Sequence, residues 1–218
     1  MNIKSFLLTL ISLMVAIAMP AKSMRSLWQC MPDSLIPYLN ANLRQEMVDF
    51  ADMQVKAQVK NLLDGNSSLD TLTSNYADIS LNSCSRMQLR LLPSSQGDSL
   101  LCMVLTVSAP ERESVVRFFT QAWQPIPSQR IPQVLMPDGK GFTPDVYLVR
   151  PDTMSQARFE ELRAMIEPAM VYATLSPSDD SLILQLAFPL VSDEQRKALD
   201  IIRVQRKLKW DGVSFKEN

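Results

Sequence analysis

The apolar and polar positions along the chain repeat one unit, in which an apolar run, a short polar turn and a second apolar run follow one another. The first copy covers residues 87–107, MQLRLLPSSQGDSLLCMVLTV, and the second covers residues 171–188, VYATLSPSDDSLILQLAF. In each copy Pro-Ser opens the turn and Asp-Ser-Leu begins the second run. Both copies therefore predict β-hairpins. Residues 100–107 are apolar on both faces, which predicts a strand at the centre of its sheet.

Helical spacing of apolar residues occurs ahead of each hairpin and again near the end of the chain. Asn40 or Asn42 is expected to begin a helix that runs to about Met53, in which apolar residues recur at intervals of three and four. Asp152 or Thr153 is expected to cap a second helix, which Pro168 ends. Ser192 is expected to cap a third, shorter helix. Short strands are predicted at residues 69–73, 76–81, 115–120, 204–210 and 213–215.

These elements predict an α+β fold, in which helices pack on one face of antiparallel sheets. Two halves, residues 24–122 and residues 152–218, would each hold a helix, a hairpin and a closing strand. Between them, residues 123–151 carry six of the fourteen prolines, which excludes a central strand or a helix there. We interpret this Pro-rich crossover as an extended connection with an edge strand at residues 146–149. The two halves are either a true duplication, or they resemble each other only because any two hairpins share this pattern.

The segment 1–23 has the pattern of a secretory signal peptide. Lys4 provides a positive start, residues 6–19 are apolar with two interruptions, and residues 21–23 place small side chains where a signal peptidase reads them. The apolar run is shorter than the ~20 residues that a membrane span needs, although an uncleaved anchor stays an alternative. We predict export to the periplasm or the cell surface, with no stable membrane span after cleavage.

Charge argues against a nucleic-acid partner. The chain carries 22 basic and 23 acidic residues, and without residues 1–23, which hold two lysines and no acid, its net charge is −3. A basic run near the end of the chain would suit an anionic envelope surface, or it forms the solvated face of the last helix and strand. The run comprises Arg196, Lys197, Arg203, Arg206, Lys207 and Lys209.

The residue inventory excludes several common kinds of catalysis. There is no histidine, which removes Ser-His-Asp and Cys-His nucleophiles and histidine-based zinc sites. The five glycines form no phosphate-binding motif. Paired carboxylates remain at Asp179-Asp180 and Glu160-Glu161, and residues 64–70 supply only part of a calcium loop. We therefore expect no catalytic residue, no cofactor and no metal site.

Three cysteines are present, at Cys30, Cys84 and Cys102. In the first hairpin Cys102 is expected to lie opposite residues 87–89, several positions from Cys84, whereas a disulfide needs Cα atoms within about 7 Å. We expect buried free thiols, a disulfide being the alternative in an oxidising compartment.

An Asp-Ser or Asp-Thr pair followed by an aliphatic residue or methionine recurs along the chain. The hydroxyl residues of these pairs are Ser34, Thr71, Ser99, Thr153 and Ser181. Such pairs commonly cap helices and end turns. The pattern also resembles the O-glycosylation sequence that Bacteroides-type bacteria use on secreted proteins, which predicts modification at one or more of these positions.

Four longer stretches resemble a known family. They are MPDSLIPYLNANLRQEMVDF, NLLDGNSSLDTLTSNY, MIEPAMVYATLSPSDDSL and KLKWDGVSF. Together they are similar to a family of secreted proteins from Bacteroides-type bacteria, domain of unknown function 3256, over essentially the whole chain after the predicted signal peptide. The resemblance implies export and an envelope location, and it implies no catalytic residue and no cofactor.

We therefore expect a non-enzymatic periplasmic or cell-surface binding or scaffold module, with an envelope protein or a glycan as its partner. The Pro-rich crossover is the candidate binding surface, because function tends to lie on loops held by rigid elements; a plain linker is the alternative. Two other hypotheses stay open. One is a carboxylate-only hydrolase acting on glycans, which needs two buried acids facing one cleft, and the other is a structural envelope component held by partner proteins.

Overall fold

Two antiparallel sheets and four helices make up the part of the chain that the computed structural model describes, namely residues 22–95, 97–127 and 130–217. The predicted α+β fold is confirmed. Nearly all of the predicted signal peptide lies outside the described residues, so export and cleavage stay predictions. Within the described ranges, no helix has the length and apolar character that crossing a membrane requires.

The seven strands of the first sheet lie side by side in the order in which the chain makes them. They are β1 (Gln58–Lys60), β2 (Asn66–Leu72), β3 (Tyr76–Ser80), β4 (Ser85–Leu92), β5 (Leu100–Ser108), β6 (Arg112–Phe119) and β7 (Pro125–Ile126). The second sheet comprises β8 (Met170–Leu175), β9 (Ser181–Ala187), β10 (Arg206–Trp210) and β11 (Phe215–Glu217), with β8 and β11 at its edges. The helices are α1 (Met24–Gln29), α2 (Ala41–Asp52), α3 (Gln156–Arg163) and α4 (Asp193–Asp200).

Both predicted hairpins are present. Strand β4 pairs with β5, and β8 pairs with β9, in each case antiparallel. Strand β5 lies between β4 and β6, which is the central position that its two apolar faces predict. The first hairpin has a further strand on each side, whereas the second has one only beside β9. The hairpins alone therefore do not decide whether the halves are a duplication, which stays a prediction.

The two faces of the first sheet are covered by different elements. Alternation along β4 places Met87 and Leu89 on one face, where they share an apolar core with α1 and α2. Of the two predicted starts, Asn40 and Asn42, it is Asn40 that begins α2, because its side chain accepts a hydrogen bond from Leu43 N at 3.1 Å. Helix α1 was not predicted, yet its Trp28 is fully buried. The predicted packing of helices on one face therefore holds for this sheet.

The opposite face of the first sheet packs against the second sheet. Cys102, Val116 and Phe118 from the first sheet share a core with the inner face of β8, β9 and β10 and with α3 and α4. Strand β8 lies against β4, β5 and β6. The two predicted halves are thus joined face to face through one apolar core.

The Pro-rich crossover differs from its prediction in one respect. Residues 146–149 do not form an edge strand, because Pro144–Tyr147 is a 3-10 turn and only Leu148 makes an isolated bridge, to Arg203. Proline at the first position of a helical turn has the required φ already set. The edge strand of the crossover is instead β7, which pairs with the end of β6.

Two predicted helix starts have different outcomes. Ser155, rather than Asp152 or Thr153, caps α3, since its Oγ accepts a hydrogen bond from Arg158 N at 3.3 Å. Ser192 caps α4 as predicted and does so with a reciprocal capping box.

The cysteine prediction was only partly right. All three thiols are free, but Cys30 and Cys84 are exposed and only Cys102 is buried. Cys102 lies opposite Arg90, one position beyond the partners predicted from the turn.

Candidate functional site

A cleft with a volume of about 260 Å³ opens between the Pro-rich crossover and the two sheets. One side is formed by residues 113–116 of β6 and by Val171 of β8. The other side is formed by Ile131, Gln133 and residues 136–139 of the crossover. We call this space the β6–β8 cleft. It is slightly smaller than the pockets of roughly 300–1,000 Å³ that hold drug-sized ligands.

Along β6, the main-chain groups on the cleft side have no strand partner. Among the described residues, strand β7 pairs only with Phe118 and Phe119, the last two residues of β6. Thr120 N–H donates to Gln124 O at 2.9 Å, on the β7 side, so the even-numbered residues of β6 direct their main-chain groups away from β5. The N–H and C=O groups of Ser114 and Val116 therefore face the cleft, and no residue in the described ranges bonds to them.

The open edge of β8 reaches the same cleft. Its outward amides meet side chains of the first sheet, since Ala173 N–H donates to Ser114 Oγ at 2.9 Å and Leu175 N–H donates to Gln88 Oε1 at 3.0 Å. Val171 is the next outward-facing residue in this alternation. It lines the cleft, and its outward main-chain groups have no partner among the residues described.

The main-chain groups of Ser114, Val116 and Val171 make the walls of the cleft polar. Ser114 and Val116 are each 7% exposed and Val171 is 1% exposed. Buried main-chain groups in proteins are almost always hydrogen-bonded. The described protein atoms do not supply these bonds, so water or a ligand must do so. The cleft can therefore hydrogen-bond an incoming polar molecule.

The crossover side of the cleft is fixed to the core. Ile131 and Leu135 are buried there, and the Tyr147 hydroxyl donates to Leu135 O at 2.6 Å. Burial raises the pKa of Tyr147, so this hydroxyl remains a donor at neutral pH. A Cβ on Gly139 would come within 1.9 Å of the Gln133 main-chain oxygen, so glycine is required for the close approach of these two segments. These contacts give the cleft a preformed wall.

The charged groups that line the cleft are acidic. Glu113 from β6 and Asp138 from the crossover are both exposed, and neither forms an ion pair with a described residue. No lysine or arginine is among the lining residues that the structure describes. Arg112, next to Glu113, is held by β8, because its Nη2 donates to the Tyr172 hydroxyl at 3.0 Å and its guanidinium lies 4.0 Å from the ring centre. The cleft therefore suits a cationic group.

The two pairs of adjacent carboxylates found in the sequence lie outside the cleft. Asp179-Asp180 and Glu160-Glu161 are each engaged in ion pairs with lysine or arginine side chains. Glu113 and Asp138 do share a cleft, but both are exposed, whereas a general acid and a general base need different environments. Across the described part of the chain, no group of three or more Cys, Asp and Glu residues is placed to hold a metal ion.

The sequence as a whole matches a known family. A family model described as protein of unknown function (DUF3256) matches residues 16–215. The chain belongs to the DUF3256 family. A solved structure of a domain of an uncharacterised protein from Porphyromonas gingivalis has a similar fold, with a TM-score of 0.67 and 20% sequence identity over 91% of this chain and 98% of that one. A comparison with curated proteins found no match. The family predicted from the four stretches is thus confirmed.

The five hydroxyls predicted as modification sites lie apart from the cleft of this DUF3256 protein. Ser34, Thr71 and Thr153 are exposed, Ser99 is half-buried, and Ser181 is only 1% exposed. A modifying enzyme could not reach Ser181 in the folded chain. None of the five lines the β6–β8 cleft, and their glycosylation stays a prediction.

The basic run of the DUF3256 protein is not one free surface. Arg196 forms an ion pair with Glu111 at 2.8 Å, which connects the two halves. Arg206 donates to Val146 O at 2.5 Å and so holds the crossover against β10. These arginines therefore join elements of the fold.

The crossover was predicted as the candidate binding surface, but the remaining walls of the cleft were missed. Ser114 and Val171 are ordinary strand residues in the sequence, and no local pattern distinguishes a paired strand edge from an open one. Pro127, directly after β7 ends at Ile126, could have indicated that β6 lacks a partner beyond its last residues.

Proposed function

We propose that this DUF3256 protein is a non-enzymatic binding module whose ligand occupies the β6–β8 cleft. The observation that supports this most directly is the convergence of Ser114, Val116 and Val171, three buried residues whose cleft-facing main-chain groups have no described protein partner. A ligand with matching donors and acceptors would satisfy those groups. A few polar groups in a preformed cavity are what fixes the orientation of a bound ligand.

Binding is favoured over hydrolysis by the environment of the acids. A glycan hydrolase that uses carboxylates alone needs one carboxyl group that is kept protonated and one that is ionised, and burial separates the two. Glu113 and Asp138 are both exposed, so the cleft does not differentiate them.

We also propose a periplasmic or cell-surface location, which rests on the signal-like pattern of residues 1–23. The ligand would then be part of an envelope protein or a glycan. A structural envelope component held by partner proteins differs from this proposal in one respect, because its contacts would not depend on the cleft.

Two adjacent exposed positions on the crossover allow a matched test. Gln133 lines the cleft, whereas its neighbour Val134 does not. The purified protein is screened against arrayed envelope glycans and a displayed library of random heptapeptides, and the best binder is titrated against Gln133→Trp and Val134→Trp. Because a bulky side chain at the wall excludes a ligand, Gln133→Trp is expected to weaken binding at least about tenfold and Val134→Trp by less than about twofold.

Melting curves show whether both variants are folded. If the ligand binds wild type and a folded Gln133→Trp variant equally, the ligand does not occupy the cleft and the proposal is wrong.

A further inference from the structure

We infer, on the basis of the proposed function, that the ligand is an extended peptide with a basic side chain, which adds to β6 as a further strand. The place for this strand is set by the chain itself. Strand β7 pairs with the last two residues of β6 and stops, so the position beside Ser114 and Val116 continues the line of β7 and has no occupant in the described chain.

The spacing of the free groups on β6 matches that of an extended backbone. Ser114 and Val116 are two residues apart on one strand, and each presents an N–H and a C=O on the cleft side. Residues i and i+2 of an extended peptide present the complementary groups at the same interval of about 6.8 Å. A sugar chain has no such regular alternation of one donor and one acceptor, so strand addition uses this edge more completely.

The second edge in the cleft suits the same occupant. An extended peptide directs alternate main-chain groups to opposite sides, so the residue between the two that bond β6 turns its groups elsewhere. Val171 lines the same cleft and offers an unpaired N–H and C=O. Its burial at 1% exposure means that a bond formed there is shielded from water.

Charge adds a side-chain preference to this main-chain recognition. Glu113 and Asp138 line the cleft without ion-pair partners in the described chain, and no basic residue lines it there. A lysine or arginine in the peptide would complement both carboxylates. Since both are exposed, the preference should weaken with rising salt concentration.

The test uses a lysine-containing heptapeptide selected from the displayed library with the purified protein. Each amide nitrogen of a synthetic copy is methylated in turn, which removes one N–H donor without altering the side chain. Strand addition predicts a loss of about tenfold or more at the two alternate positions that bond β6, a loss also at the position between them that faces Val171, and little change at the remaining positions. Hydrogen exchange at the amides of Ser114 and Val116 is expected to slow when the peptide binds.

The role of the acids has its own variants. Glu113→Gln and Asp138→Asn are each expected to weaken the lysine peptide about threefold to tenfold at low salt and to leave a norleucine analogue unchanged. Glu46→Gln is the control, because Glu46 is exposed on α2 and lies outside the cleft. Equal affinity of both peptides for wild type would overturn the assigned basic side chain.

Failure of this inference differs from failure of the proposed function. If a peptide binds and Gln133→Trp abolishes its binding, but methylation acts equally at every position, strand addition is wrong and the cleft remains the site. The same conclusion follows if no peptide binds and a glycan does so in a Gln133→Trp-sensitive way. If the selected peptide binds Gln133→Trp as well as wild type, both are wrong.

Discussion

Replacing Gln88 with methionine would test how the second sheet is held on the first. Gln88 is only 7% exposed, and its Oε1 accepts the Leu175 N–H of β8 at 3.0 Å. Its Nε2 donates to the Tyr76 hydroxyl at 2.8 Å and to Asp78 Oδ2 at 3.3 Å. Methionine has a similar length and can make none of these bonds, so the variant removes the polar connection while keeping most of the packing.

The bonds of Gln88 contribute unequally. Asp78 keeps other partners, since the Tyr76 hydroxyl donates to it at 3.0 Å and Arg86 Nε donates to it at 2.6 Å. The Leu175 N–H has no other partner in the described chain and would be left buried, which costs about 1–3 kcal/mol. Losing the two Nε2 bonds costs less, because their acceptors keep other partners. Together these losses should lower the free energy of unfolding by about 2–3 kcal/mol. For a chain of this length that lowers Tm by about 4–12 °C.

Urea and thermal unfolding of wild type and Gln88→Met measure this difference. Gln45→Met is the matched control, because Gln45 is exposed on α2 and its side chain bonds, among the described residues, only to the side chains of Gln29 and Asp49. The control is expected to stay within about 0.5 kcal/mol of wild type. If Gln88→Met is as stable as Gln45→Met, the capping of the β8 edge by this side chain does not stabilise the fold and the reasoning is refuted.

Three further predictions test other parts of the molecule. Arg44 is buried and donates to Trp28 O at 3.1 Å and Leu39 O at 2.7 Å, so Arg44→Met should lose about 3 kcal/mol in urea unfolding. Arg25→Met, at an exposed ion pair, should lose less than about 1 kcal/mol. The Arg163 guanidinium holds the pKa of Asp145 below its usual range, so their pair stabilises the fold above about pH 4 and loses this effect as the pH falls through the lowered pKa. Asp145→Asn should therefore lower Tm at pH 7, and its difference from wild type should shrink as the pH falls below about 4, which melting curves across this range will show. The exported protein is expected to begin at Met24 and to carry added mass on one or more exposed hydroxyls; an intact mass equal to that of the unmodified chain from Met24 would contradict glycosylation.

The elements that could be predicted are those whose signals are local. The hairpin of β8 and β9 follows from alternation and a polar turn, both contained in residues 171–188. Helix α2 follows from a stripe of apolar residues after the Asn40 cap. Helix α1 has six residues, too few to show a helical period, and it directly follows the signal-like segment. The valines and tyrosine of residues 146–149 favour an edge strand, whereas Pro144 ahead of them favours the first turn of a helix, and Pro144–Tyr147 forms a 3-10 turn.

The site could be predicted only in part, because it depends on which strands meet. The Pro-rich crossover could be predicted as a binding surface from its composition, and it does form one wall of the cleft. That Ser114 and Val116 lack a partner depends on where β7 stops, and that Val171 joins them depends on how β8 lies across the first sheet. Both features depend on contacts between segments that are distant in sequence, and hydrophobic periodicity reports only on local structure.

The way in which the two sheets meet explains why the cleft exists. Had β8 paired with the free edge of β6 through main-chain bonds, the sheets would have merged and both edges would have been satisfied. Instead β8 lies on the face of the first sheet, and the hydroxyl of Ser114 and the amide of Gln88 accept its N–H groups. Open strand edges usually invite unwanted pairing and are covered. The crossover lies beside this edge and lines the cleft with it, yet no described residue of the crossover bonds to the main chain of Ser114 or Val116. A covered yet unfilled edge selects for a single narrow strand, and this is the occupant that the cleft was inferred to take.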